Sequence, residues 1–292
     1  MSGIDTLLEA AASAARDESA TPAERAQMLM ELAMGLQRQP KTPRHLRSAL
    51  ALYDESLAIC PPEDELLAAR IAARRATALQ ALPEEGSASI EAALSAYDAL
   101  IPRLSRLGGA AEVAEAEMNR GLCLQHLGRL PEAMAAYQRA LRVFDAARYP
   151  VEYAILQNNL ATAFLATKSP LAEALAVQSF EQGLKAVNII DHPTEYAMLQ
   201  NNLGNALQSV ASSHALENHQ RALAAYDEAL KVRTRELRPL EHANTLANKA
   251  NCLWSLGQID EAKATYATAH ALFVEHGELA KARAVSEAMQ GT

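Results

Sequence analysis

Six times along this chain an aromatic residue stands four places after an alanine: Ala49/Tyr53, Ala93/Tyr97, Ala133/Tyr137, Ala176/Phe180, Ala222/Tyr226 and Ala262/Tyr266. Successive aromatics are 44, 40, 43, 46 and 40 residues apart. Residues four apart share one face of an α-helix. A near-constant period of this size marks repeated supersecondary units that bury their apolar faces by stacking. No segment alternates β-branched and aromatic residues in the manner of a strand. The expected class is all-α.

Each period reads as two helices. In the second, alanine, aromatic, small residue and leucine fall at i, i+4, i+7 and i+8, as in Ala133, Tyr137, Ala140 and Leu141. The first helix carries its own small residue: Ala33, Ala76, Gly121, Ala161, Gly204 or Ala250. Turn signals separate the halves at Gln39-Pro40-Lys41-Thr42-Pro43, Pro83-Glu84-Glu85-Gly86, Gly128-Arg129-Leu130-Pro131, Lys168-Ser169-Pro170, Ser212-Ser213 and Gly257-Gln258-Ile259-Asp260. The expected organisation is one solenoid over 1–292. Its repeats lie near 22–60, 64–104, 110–147, 150–190, 193–236 and 239–275, with flanking helices at 3–16 and 278–290. Leu7, Leu8, Ala11 and Ala15 give the first helix an apolar face. Glu278, Lys281, Arg283 and Glu287 give the last a polar outer one.

Composition excludes several functions. The chain carries a formal charge of −8, which disfavours a partner held through phosphates. Cys60, Cys123 and Cys252 are far apart and lack metal-ligand spacing, so they read as small apolar residues. No histidine, cysteine or serine arrangement has the wording of a catalytic or metal site. Neither an enzyme nor a cofactor is expected. The N-terminal stretch has no basic start followed by a long apolar run, and no run of about 18 apolar residues exists to span a membrane. The expected setting is cytoplasmic.

The phrases Asn119-Arg120-Gly121-Leu122 through His126-Leu127-Gly128, Pro131-Glu132-Ala133 and Tyr137 resemble the tetratricopeptide repeat. Trp254-Ser255-Leu256-Gly257 through Asp260-Glu261-Ala262, Tyr266 and Ala269 do so too. The repeats are longer than the family minimum of about 34 residues. With Tyr196-Ala197 and Asn201-Asn202-Leu203 they resemble the kinesin light chain type and its bacterial relatives. The resemblance implies a right-handed helical-hairpin solenoid that binds peptides or proteins on a concave face lined by the first helices.

Two residues before the small residue of the first helix, four repeats carry Asn119, Asn159, Asn202 and Asn248. Asn158 and Asn201 precede two of them, and Asn205, Asn244 and Asn251 extend the rows. Asparagine costs roughly 0.5–0.7 kcal/mol against alanine in a helix, so its recurrence at one register needs a reason. A carboxamide both donates and accepts, which suits it to pair with the backbone of an extended peptide whatever the peptide's side chains. It suits equally a network between neighbouring helices. In the second repeat the same register is Arg74, with Arg70 one turn before it. This pair resembles the basic half of the carboxylate clamp in chaperone-adaptor repeats and implies a preference for acidic residues at one end, although Glu31 stands where that clamp requires asparagine. Glu63, Asp64 or Glu115 would answer the arginines if the pair is structural. Pro150-Val151-Glu152, Pro193-Thr194-Glu195 and Pro239-Leu240-Glu241 read as helix starts, with proline in the first turn and glutamate at the positive end of the dipole. The functional expectation is an adaptor gripping a protein segment. The alternatives are a self-associating scaffold, that is a homo-oligomer, or a ligand-responsive regulatory sensor.

Overall fold

The computed structural model describes residues 3–38, 42–82, 87–210 and 214–290. The turn signals at 39–41, 83–86 and 212–213 lie outside the described residues. Fourteen helices and no strand are found among those described. The chain divides into two compact units, Met1–Val143 and Phe144–Thr292.

The first unit holds α1 (Gly3–Ala15), α2 (Pro22–Arg38), α3 (Pro43–Ile59), α4 (Glu65–Gln80), α5 (Ala88–Leu107), α6 (Ala110–His126) and α7 (Leu130–Leu141). The second holds α8 (Pro150–Ala166), α9 (Pro170–Ala186), α10 (Pro193–Ser209), α11 (Ala215–Leu230), α12 (Pro239–Ser255), α13 (Ile259–Glu275) and α14 (Leu279–Met289). Helices pack as hairpins within each unit, α2 on α3, α4 on α5 and α6 on α7 in the first, and α8 on α9, α10 on α11 and α12 on α13 in the second. Leu7, Leu8, Ala11 and Ala15 of α1 lie on the core that α2 and α3 share. Ala282 and Val285 of α14 are buried beside α12 and α13, while Lys281 and Glu278 pair on its outer side.

The Ala–aromatic pairs are the knobs of these hairpins. Tyr53, Tyr97, Tyr137, Phe180 and Tyr226 are fully buried, and Tyr266 nearly so. Two of them pack directly against the glycine of their own first helix. A β-carbon added at Gly121 would lie 2.5 Å from Cε1 of Tyr137, and one added at Gly204 would lie 2.6 Å from Cε1 of Tyr226. These two glycines are therefore set by close approach and not by backbone conformation.

Burying a tyrosine requires a partner for its hydroxyl, and the first helix supplies it one or four places after the small residue. Tyr53 donates to Gln37 at 2.8 Å, Tyr137 to Gln125 at 2.9 Å and Tyr226 to Asn205 at 2.7 Å. Tyr97 pairs with Thr77 at 2.9 Å, and Tyr266 donates to Asn251. The one hairpin with phenylalanine has Leu165 four places after Ala161, where the others with a residue in use carry an amide. Burial pushes the Tyr53 phenol up to about 12, the Cys123 thiol up to about 12 and the Cys252 thiol up to about 11.

Neighbouring hairpins are joined by a second recurring contact. The residue before the small one meets the aspartate that follows the previous knob: Arg75 with Asp54, Arg120 with Asp98 and Lys249 with Asp227, each at 2.6 Å.

Candidate functional site

The two units differ at one register of their first helices. Counting back three and two places from the small residue, the first unit has Met30-Glu31, Ala73-Arg74 and Met118-Asn119. The second has Asn158-Asn159, Asn201-Asn202 and Ala247-Asn248. The chemistry that results is different in each.

In the second unit the amides bond one another. Asn248 Nδ2 donates to Asn201 Oδ1 at 3.3 Å, and Asn201 Nδ2 to Asn202 Oδ1 at 3.1 Å. Asn202 Nδ2 donates to Asn158 Oδ1 at 2.8 Å, and Asn158 Nδ2 to Asn159 Oδ1 at 3.3 Å. Five side chains thus form a single donor-to-acceptor chain across α12, α10 and α8. It ends on Asn159 Nδ2, a buried donor with no acceptor among the described residues. Asn158, Asn159 and Asn201 are all more than nine-tenths buried. Asn205 and Asn251 serve the knob tyrosines, as above. Of the asparagines that the sequence suggests for peptide contact, only Asn119 and Asn244 make no side-chain hydrogen bond among the described residues.

In the first unit the same register opens. A cavity of about 320 Å³ lies on the faces of α2, α4 and α6, with Asn119 in its wall. Its apolar surface comes from Met30, Met34, Ala73, Leu104 and Ala116, with Tyr97 at the base. The Tyr97 hydroxyl is held by Thr77, which also lines the cavity; burial raises this phenol's pKa strongly.

Five charged side chains border the space: Glu31, Arg70, Arg74, Glu112 and Glu115. Arg70 Nε meets Glu112 Oε1 at 2.6 Å, and Arg74 NH1 meets Glu115 Oε1 at 2.8 Å. The two arginines expected from sequence as an acidic-ligand clamp therefore meet the protein's own carboxylates. Glu115 was among the partners that sequence offers, and Glu112 was not. The hydrogen bond from Arg70, aided by the Gly109 N–H, holds the Glu112 carboxyl below its ordinary value of 4.5. Because the folded value is depressed, this pair contributes stability above pH 4.5 and loses it as pH falls through the lowered value. Glu31 receives only a 3.2 Å hydrogen bond from Gln27.

Among the described residues no group of three or more histidine, cysteine, aspartate or glutamate side chains is placed to hold a metal ion. Among the described residues no helix is long and apolar enough to cross a membrane.

The signal for the cavity is present in the sequence as a change of residue class at one register, from Met30-Glu31 and Ala73-Arg74 to Asn158-Asn159 and Asn201-Asn202, while Met118-Asn119 and Ala247-Asn248 are alike. It is visible only once both the register and the helix pairing are known.

Comparison with known proteins agrees with this architecture. The tetratricopeptide repeat family model matches residues 243–269, within α12 and α13. No curated protein matches the chain in sequence. Among solved structures, aspartyl phosphate phosphatase F from Bacillus subtilis aligns with a TM-score of 0.63 at 15% identity, over 99% of this chain and 82% of that one. The apo form of RapI aligns at 0.60 and 13% identity, over 93% of this chain and 77% of that one. A signal transduction ATPase with a tetratricopeptide repeat sensor, PH0952 from Pyrococcus horikoshii, aligns at 0.59 and 13% identity. There 92% of this chain spans 43% of the other. At these identities the likeness is one of fold: the chain is an all-α array of tetratricopeptide-like helical hairpins.

Proposed function

We propose that this chain is a non-catalytic protein-binding adaptor, and that a partner's extended segment lies over α2, α4 and α6 with one side chain in the cavity. The cavity carries this reading. It is concave, has an apolar floor and ordered polar walls, and falls in the size range of ligand pockets, about 300–1,000 Å³. Methionines line it, and their flexible thioethers adapt to side chains of different shape. Asn119 keeps the role expected of the asparagine row, since its amide is unengaged and faces this space. The second unit's asparagines hold their helices together in this reading, because the four amide bonds that link α12, α10 and α8 already occupy them.

The test is to fill the cavity. Ala73→Phe adds a ring to the cavity's apolar lining without removing any of its charged residues. Proteins cross-linked to the wild-type chain in lysate are identified by mass spectrometry and compared with those of the variant. A specific partner lost on filling, with the thermal midpoint within a few degrees of wild type, is the expected result. A partner retained at wild-type yield by the filled protein would place recognition elsewhere.

A further inference from the structure

We infer that the side chain this cavity accepts is a lysine or arginine in an extended segment of a partner protein. The inference rests on the adaptor reading above and adds the sign of the partner's charge.

The walls contain two guanidiniums and three carboxylates, so one negative charge is in excess. The pairing of Arg70 with Glu112 and of Arg74 with Glu115 identifies it as Glu31. That carboxylate stands on α2 between Met30 and Met34, adjacent to one and a turn away from the other. A cationic side chain with a hydrocarbon stem fits this arrangement: its methylenes cover the two thioethers and its head meets Glu31 at the mouth. The floor asks for no polar group, since the Tyr97 hydroxyl is already matched by Thr77.

The opposite sign meets two obstacles. A carboxylate reaching the remaining N–H groups of Arg70 or Arg74 would share a guanidinium already paired at 2.6 or 2.8 Å, and would meet three acidic groups around the same space. A neutral apolar side chain fills the floor but covers Glu31 without pairing it, which costs desolvation. The chain's charge of −8 acts in the same direction at longer range, drawing basic segments toward it.

The experiment uses the full chain with 13C-methyl-labelled methionine and three peptides of sequence Gly-Ser-Leu-X-Leu-Ser-Gly, acetylated and amidated so that only X carries charge. X is lysine, norleucine or glutamate. The Met30 and Met34 methyl resonances, assigned by substitution to leucine, report occupancy of this cavity specifically.

The lysine peptide is expected to bind about fivefold or more tightly than the glutamate peptide at low salt, with norleucine between, and the gap to narrow as salt rises. Glu31→Gln should reduce the preference while leaving norleucine binding and the thermal midpoint unchanged. Equal or tighter binding of the glutamate peptide overturns the sign and leaves the adaptor reading standing. A lysine preference that survives Glu31→Gln overturns the assignment to Glu31. If none of the three peptides moves either methyl at millimolar concentration, the cavity is not the recognition site and both readings fall.

Discussion

Asn202 occupies the middle of the amide chain, donating to Asn158 and accepting from Asn201. Changing it to alanine leaves an acceptor and a donor unmatched on side chains that are more than nine-tenths buried. Such groups cost about 1–3 kcal/mol, well above the ~0.5 kcal/mol that alanine gains in helix propensity. Asn202→Ala should therefore lower the unfolding free energy by about 1–2 kcal/mol in a urea titration. Asn119→Ala, at the same register of the first unit, should leave it unchanged or raise it slightly. Equal effects of the two substitutions would refute the division of labour drawn from their contacts. The recurrence of asparagine two places before the small residue is legible in the sequence as a cost that needs an explanation. What the amides bond is not, because adjacent positions such as Asn201 and Asn202 point in different directions from one helix. Only the neighbouring helix decides which of them it meets. Asn205 and Asn251 show the same limit. Their chemistry suits a peptide, and each instead accepts from a buried tyrosine on the second helix of its own hairpin.

The ends of the helices follow local rules that were readable, with one exception that can be tested. Gly128 has φ +73 after α6, and the Arg129 N–H returns to the Leu124 carbonyl at 2.9 Å. Gly257 repeats this after α12, with Gln258 bonded to Leu253 at 2.9 Å. This is the helix stop that glycine favours, because it has no β-carbon to clash in the left-handed region. After α8 the same region is occupied by Lys168, with φ 54, which costs a residue with a β-carbon roughly 1–2 kcal/mol. The side chain is exposed and glycine relieves the strain, at some loss of chain entropy. Lys168→Gly is expected to stabilise the protein by about 0.5–1 kcal/mol, measured as a higher urea midpoint at unchanged slope; a lower midpoint would show that the strain is absent. The proline-initiated helices were also readable, but the loops that feed them were not. Asp145 caps the N–H groups of Ala147 and Arg148, and Asn188 those of Ile190 and Asp191. Thr234 reaches the N–H of Leu237 in the equivalent loop. Three different residues perform this capping, so similarity by identity misses it, while their common ability to accept from backbone two or three places on explains it.

At the scale of the chain, periodicity accounts for the hairpins but not for the difference between units. Both units use the same knobs: Tyr53, Tyr97 and Tyr137 in the first, Phe180, Tyr226 and Tyr266 in the second, all buried. The same packing rules can therefore carry a cavity in one and an amide chain in the other, because the residues two and three places before the small one vary independently of the knobs. Each unit has its own buried clusters. Ala33, Tyr53 and Ile71 join α1 to α4 in the first. Phe180, Leu199 and Tyr226 join the hairpins from α8 to α12 in the second, and α12 to α14 enclose Tyr266 and Phe273. In repeat arrays stability is close to a sum of unit terms and nearest-neighbour terms, so a division at Val143/Phe144 should leave two foldable pieces. Fragments 1–143 and 144–292 are expected to keep helical circular dichroism and to unfold cooperatively in urea, each with a shallower slope than the whole chain because less surface is exposed. The lysine peptide should bind the first fragment with an affinity within a few-fold of the full chain and leave the second unbound. A first fragment that is well folded by both criteria and does not bind would mean that recognition draws on residues beyond Val143, and the asparagine row of α8, α10 and α12 would return as the place to look.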